Sequence, residues 1–393
     1  MEGEIMSEWD IVEDNHGNAV IKVIGVGGGG GNAVNHMVEA GIEGAEFISI
    51  NTDKQALDKN GASTKFTLGK EITNGLGAGA NPNVGREAAL EDRDRIREML
   101  KGTDMAFITA GMGGGTGTGA APIVAQVSKE LGILTVAVVT KPFELEGKKR
   151  MEIAKEGVKE LVEEVDSLIT IPNQKLLEVL GQDCSMIEAF SQANDVLSGA
   201  VRGISDIIMC PGLINVDFAD VRTVMSEKGT AMMGTGSSTG PDRARIAAEQ
   251  AVSSKLLEDI SLKDAKGVLV NITAGPDITL GEIQAVGDCI ESFAANDAII
   301  VTGNVINEAL GNELVVTVIA TGLGVSTKNL SSLNERKFND LNVTQPLPLS
   351  DAARNLMENP PKIESVSTKP QEDKDEDDGE FLNIPSFVRT QLD

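Results

Sequence analysis

Two glycine runs hold the residues best suited to chemistry in this chain. They are Gly25-Val-Gly-Gly-Gly-Gly-Gly31-Asn32 and Gly111-Met-Gly-Gly-Gly-Thr-Gly-Thr-Gly119. Each follows an apolar run and precedes a stretch with helical periodicity. Glycine has no Cβ, so backbone N–H groups can come close to phosphate oxygens. A helix N-terminus adds unpaired N–H groups and the positive end of a dipole. The Thr116 and Thr118 hydroxyls supply further donors. One such loop recurs in many dinucleotide folds. Two in one unit, the second alternating Gly with Thr, point to a nucleotide whose phosphates are held from both sides. The competing reading is that the glycines only shape tight strand-to-helix turns.

Other chemistries are narrowed by what is missing. There is no Gly-x-x-x-x-Gly-Lys-Ser/Thr, which excludes a P-loop NTPase. Gly25, Gly27 and Gly30 do satisfy Gly-x-Gly-x-x-Gly, and Asp53 stands where a dinucleotide fold places its ribose-binding acid. A nicotinamide-dependent oxidoreductase is therefore the rival, although the second glycine loop has no role in such a site. The chain has two histidines, His16 and His36, and three scattered cysteines, Cys184, Cys210 and Cys289. These form neither zinc-ligand spacing nor a His-based triad, and they suit reduced thiols. A net charge of −26 argues against binding nucleic acid or an anionic membrane. No stretch is long and apolar enough to span a bilayer. Cytoplasmic location is the default, since Met1–Asn18 is polar and acidic, unlike a cleavable signal.

The elements that must position these loops follow from periodicity. Apolar or β-branched runs at Ile21–Val26, Ala45–Asn51, Lys65–Leu68, Met105–Ala110, Ile133–Thr140 and Leu168–Ile171 read as strands. Asn32–Ala40, Asn83–Leu100, Ala120–Leu131 and Lys148–Val165 read as the helices between them. This alternation predicts an α/β fold with a mostly parallel sheet covered on both faces. Met186–Met209 repeats apolar residues over a long amphipathic helix that joins two domains. Beyond it, strands are expected at Ala231–Met233, Gly267–Ile272, Ala298–Val301 and Leu314–Ala320. Helices are expected at Arg243–Ser254 and Thr279–Ala294, giving a second, smaller α/β domain. The implied division is a flexible extension (1–18), a nucleotide-binding domain (19–183), the central helix (184–210) and a C-terminal domain (211–324). A polar linker (325–379) and a terminal peptide (380–393) complete it. Glu372–Glu380 holds seven acids and one lysine, too polar to offset ordering entropy. The apolar cluster Phe381, Leu382, Ile384, Phe387 and Val388 after it reads as a docking peptide, against a frayed terminus.

The combination of motifs resembles the FtsZ family of bacterial tubulin-like cell-division proteins. The carrying segments are the two glycine runs, Asn51-Thr-Asp-Lys-Gln-Ala-Leu57 and Gly75-Leu-Gly-Ala-Gly-Ala-Asn-Pro82. Lys141-Pro-Phe-Glu-Leu-Glu-Gly-Lys-Lys-Arg150, Asn215-Val-Asp-Phe-Ala-Asp220 and the terminal peptide complete the match. The resemblance implies a tubulin-like fold and a GTPase that polymerises head to tail into the division ring at midcell. Gly28, Gly29, Gly30, Gly31 and Asn32, with Gly115, Thr116 and Gly117, would hold the phosphates. Gly75–Asn81 would close over the γ-phosphate.

Glu146 and Arg150 would lie near ribose and phosphates; by spacing alone they are an i,i+4 surface pair. Asp195 would meet the guanine edge, and Phe190 would stack on the base unless it is simply core. Asn215, Asp217 and Asp220 would enter the next subunit's nucleotide site and position the attacking water, although Asn or Asp at a helix start is also a common N-cap. GTP is the implied substrate and GDP the product, with Mg²⁺ bridging the phosphates and a monovalent cation left open. No side-chain metal cluster is expected. The implied partners are further copies of the chain and, through 380–393, membrane-associated adaptors and assembly regulators. A filament former that binds GTP but hydrolyses it poorly is the remaining alternative.

Overall fold

The computed structural model describes residues 19–181, 184–210, 216–254 and 265–323. The N-terminal extension, Asn215, the linker and the terminal peptide lie outside the described residues. Ten strands are found: β1 (Ile21–Val26), β2 (Ala45–Asn51), β3 (Thr64–Thr67), β4 (Met105–Gly111), β5 (Leu134–Lys141), β6 (Ser167–Pro172), β7 (Gly229–Thr239), β8 (Gly267–Ala274), β9 (Ile299–Ile306) and β10 (Glu313–Leu323). They form one sheet in the order β3-β2-β1-β4-β5-β6-β7-β10-β8-β9. Pairing is parallel from β3 through β7. β10 runs antiparallel to both its neighbours, and β8 and β9 are parallel. The first half thus has the parallel sheet that its strand–helix rhythm predicted, while the second half is mixed.

Strand residues alternate between two cores, as the pleat requires. On one face Ile24, Ile48, Ile50, Ile108 and Val139 meet the helices Pro82–Glu91, Arg93–Leu100, Thr116–Glu130 and Lys148–Glu164. On the other, Val23, Phe47, Phe107, Val136 and Ile169 meet the helix Gly27–Glu39 and the central helix Met186–Met209. That central helix has the predicted ends. Ser185 caps it by accepting from the Glu188 N–H at 3.2 Å, while Glu188 accepts from the Ser185 N–H at 2.8 Å. It buries Ala193, Leu197, Val201, Ile204 and Ile207, and this core continues into Leu269 and Ile319 of the second half. Each buried aliphatic side chain there contributes roughly 1.5–3 kcal/mol. A third core, rich in alanine and valine, packs the helices Arg243–Val252 and Leu280–Phe293 on β8 and β10.

Three differences from expectation have physical causes. The first glycine run is itself the first turns of a helix, Gly27–Glu39, so the helix starts five residues before Asn32. The expected helix over 83–100 breaks at Asp92. That carboxylate accepts from the Gly69 N–H and from Arg95, each at 2.8 Å, which draws the backbone out of helical geometry. The short helix Asn173–Leu180, which follows directly on β6, was not anticipated, whereas the helix start considered around Asp217 is found as Phe218–Met225.

Candidate functional site

The carboxyl ends of β1, β4, β5 and β6 converge on one cleft of about 390 Å³. In the order 3-2-1-4-5-6 the chain reverses its progress across the sheet between β1 and β4. Open parallel sheets bind ligands in the crevice at that reversal. Both glycine runs sit there, one after each of these strands.

From the first run, Gly28, Gly29 and Asn32 line the cleft. A Cβ on Gly28 would meet nothing within 4 Å, so the space before it is open. Gly30 and Gly31 do not line the cleft, contrary to the expectation placed on them. A Cβ on Gly30 would stand 2.1 Å from the Thr109 carbonyl oxygen, and one on Gly31 would stand 3.3 Å from Ser49 Oγ. Packing of the helix onto the sheet demands glycine at Gly30. From the second run Gly114, Gly115, Thr116 and Gly117 line the cleft. Thr118 turns into the loop instead, where its hydroxyl accepts from the Gly113 N–H at 2.8 Å. The third loop, Gly75–Asn81, contributes no lining residue; Ala78 and Asn81 pack against Gly115 from behind.

Glu146 and Arg150 form the far wall. They make the i,i+4 ion pair their spacing allows, at 3.0 Å, and they also face the cleft. Glu146 further accepts from the Phe143 N–H at 2.9 Å, which fixes its carboxylate. Next to this wall Lys141 is half-buried, and burial followed by the Lys155 cation pushes its ammonium below the ordinary lysine value. Phe190 is no core residue. It is 41 % exposed at the mouth and stands edge-on to buried Phe143, with ring centroids 5.1 Å apart.

Asp195 does not line the cleft. Its carboxylate lies 2.7 Å from His36 Nε2, and the preceding residue Asn194 lines the cleft in its place. Two amides, Asn32 and Asn194, thus face the cleft, while His36, one turn after Asn32, and Asp195, the residue after Asn194, join the two helices. Asn173 is a residue that sequence reasoning missed. It is 4 % exposed, lines the cleft, and its side-chain oxygen has no partner. Its signal was positional: it is the first residue after β6, at the same sheet edge as both glycine runs. Asp53 is excluded from the site, since its carboxylate caps the helix Lys54–Asp58 by accepting from Gln55 and Ala56 N–H. That removes the ribose-binding acid of the oxidoreductase reading.

Asp217 and Asp220 occur together at the start of the helix Phe218–Met225. Asp217 is its N-cap, outside the helix, and accepts from the Asp220 N–H at 2.8 Å. The pair is therefore stacked through a cap rather than displayed on one helical face. Among the described residues none beyond Leu197 lines the cleft, so Asp217 and Asp220 are not part of its wall.

A switch-point cleft walled by two glycine loops, with amides at one end and an arginine at the other, defines a tubulin-like nucleotide-binding protein. A model of the Tubulin/FtsZ family, GTPase domain, matches residues 20–181, and one of the FtsZ family, C-terminal domain, matches 229–324. The Cell division protein FtsZ of Pseudomonas putida is 56% identical over 98% of this chain and 100% of its own length. That of Azotobacter vinelandii is 55% identical, again over 98% and 100%. A solved FtsZ dimer from M. jannaschii, without nucleotide, superimposes with a TM-score of 0.75 at 44% identity, covering 79% of this chain and 90% of that one. The chain belongs to the FtsZ family and is a GTPase.

Proposed function

We propose that this chain polymerises head to tail and hydrolyses GTP at the junction between subunits, as the GTPase of the bacterial division ring. One observation carries the reading. Among the described residues, all those that line the cleft lie between Gly28 and Leu197. The one lining carboxylate among them, Glu146, is engaged by Arg150 and a backbone N–H. A water-positioning carboxylate has to come from elsewhere, and Asp217 and Asp220, with Asn215, are offered by a second subunit. Head-to-tail contacts that do not close give open filaments. Solved FtsZ relatives include a dimer.

The chemistry divides between the halves. Backbone N–H groups of Gly28, Gly29 and Gly115–Gly117 hold phosphates, and Arg150 offsets their charge. Asn32 and Asn194 meet the base edge, Phe190 stacks on its face, and Asn173 accepts from the sugar. Asp195 acts behind Asn194 rather than on the base. The attacking water is positioned and polarised electrostatically, since acids at a helix N-terminus are stabilised as anions. Among the described residues no three His, Cys, Asp or Glu side chains gather as a metal cage. Mg²⁺ is held mainly by substrate phosphates and its own waters in such sites, which suits this donor set. Its chemistry would be to neutralise charge on the phosphates.

The terminal peptide 380–393 is assigned to membrane-associated adaptors and assembly regulators at the midcell ring, in the cytoplasm. Among the described residues no helix is long and apolar enough to cross a membrane. Deleting 380–393 is expected to spare polymerisation and abolish adaptor binding. The central test is GTP turnover against protein concentration, with pelleting of the same samples. Specific activity that rises only where polymer forms supports a shared site. Turnover linear from the highest dilution, with nothing pelleted, overturns it.

A further inference from the structure

The end of β2 contributes a hydroxyl that neither glycine run supplies. Thr52 is fully buried, and its Oγ1 lies 2.6 Å from Thr116 Oγ1, 64 residues away. Its backbone carbonyl is occupied separately, accepting from the Gly77 N–H at 3.2 Å. Either hydroxyl could donate in the contact between the two threonines. Burial decides which. A hydroxyl has one hydrogen to give, and a buried donor left unmatched is costly. Among the described residues the one acceptor found for the Thr52 hydroxyl is Thr116 Oγ1. If Thr116 donated instead, the Thr52 hydrogen would be stranded. The satisfied arrangement has Thr52 donating and Thr116 accepting.

That arrangement leaves the Thr116 hydrogen free, and Thr116 is the residue of the pair that lines the cleft. A hydroxyl that accepts one bond becomes a better donor for the next, because such chains polarise cooperatively. Resting on the reading that this cleft holds the phosphates, we infer that Thr52 is a positioning residue for the GTPase reaction. It fixes the Thr116 hydroxyl as a donor toward a phosphate oxygen. The same residue ties the third loop to this hydroxyl through its carbonyl, so one buried threonine sets both a donor direction and the seat of the loop behind it.

The test compares GTP with guanosine as probes on the full chain, for wild type, Thr52→Val, Thr52→Ser, Thr116→Val and the Thr52→Val/Thr116→Val double variant. Valine keeps the β-branched shape and removes the hydroxyl; serine keeps the hydroxyl. The expected result is about a tenfold loss of GTP affinity in Thr52→Val, the scale of one hydrogen bond to a charged group. Guanosine affinity is expected unchanged, Thr52→Ser close to wild type, and the double variant no weaker than Thr116→Val alone. Equal losses for GTP and guanosine would make Thr52 merely structural and overturn the inference. So would additive losses in the double variant, or no loss in Thr52→Val. Failure of the underlying site reading is distinguishable: Thr116→Val and wild type would then bind GTP alike, or wild type would bind guanosine as tightly as GTP.

Discussion

The two halves of the molecule spend their residues differently. The first half ends its parallel strands in glycine and meets ligand largely through backbone, with side chains at the rim. The second half is tied together by side-chain charge. Arg243, with its side chain 5 % exposed, bonds Glu282 at 2.6 Å, Asp277 at 3.1 Å and the Asn312 carbonyl at 3.0 Å. Among the described residues, none of that half lines the cleft. A half built for rigidity presents its Asp217 and Asp220 outward, while a half built for close backbone approach receives the nucleotide. Under the proposed function, this division of labour would make catalysis a property of the pair of subunits.

The largest expected effect breaks the second half without touching the first. Arg243→Met strands two carboxylates and should lower unfolding stability by roughly 3–5 kcal/mol, the scale for breaking a buried ion pair. Denaturant unfolding measures this, and GTP affinity per folded molecule should be unchanged. The pH dependence follows from the sign. Hydrogen bonds from Arg243 hold the Glu282 carboxyl below the ordinary carboxylate range, partly opposed by burial. Its stabilisation is complete at neutral pH and is lost as pH falls through that depressed pKa, because the unfolded chain takes up its proton first. Glu282→Gln should flatten the acid limb of the stability curve.

Next comes the catalytic contribution across the junction. Asp217→Ala should reduce turnover about 10²–10³-fold with nucleotide binding intact. Since Asp217 is also an N-cap, Asp217→Asn preserves the cap. Equal loss in both variants assigns the effect to charge; recovery in the Asn variant would assign it to the helix end.

Within the first glycine run the comparison sharpens to single residues. Gly30→Ala should destabilise by about 1–3 kcal/mol through overpacking against Thr109. Gly28→Ala should leave stability nearly unchanged and weaken nucleotide binding, since its methyl projects into open cleft. Thermal unfolding with and without GDP separates the two. The smallest effect belongs to His36 and Asp195. Both are substantially exposed, and a double-mutant cycle should give a coupling of about 0.2–1 kcal/mol in stability. GTP-against-ITP selectivity should shift with it if the contact steadies Asn194.

Much of this was legible in the chain itself. β1, β2 and the central helix have the ends that their apolar periods imply, because each is bounded by a glycine run, a polar turn or a cap. The glycine loops, and by resemblance Glu146 and Arg150, pointed to residues that the structure brings to one cleft. Asn173 and Asn194 were not found, because their use depends on which strand ends converge, and convergence is a matter of sheet order rather than spacing. Gly30 and Gly31 could not be told from Gly28 and Gly29. Identical residues two positions apart face nearly opposite sides of a helix, and only the packing says which side is ligand. On the central helix the same ambiguity separates Asn194, which lines the cleft, from Asp195, which meets His36. Asn215 and the tails lie outside the described residues.

The scarcity of aromatic residues has an optical consequence. The chain has no tyrosine and a single tryptophan, Trp9, and the described residues contain neither type. The catalytic body is therefore dark to tryptophan excitation. Its one tight aromatic contact among the described residues, Phe143 against Phe190, sits at the cleft mouth. A Phe190→Trp variant in a Trp9→Phe background would place one indole where the base stacks, so its emission alone would follow arrival and departure of the nucleotide in real time, with no added dye.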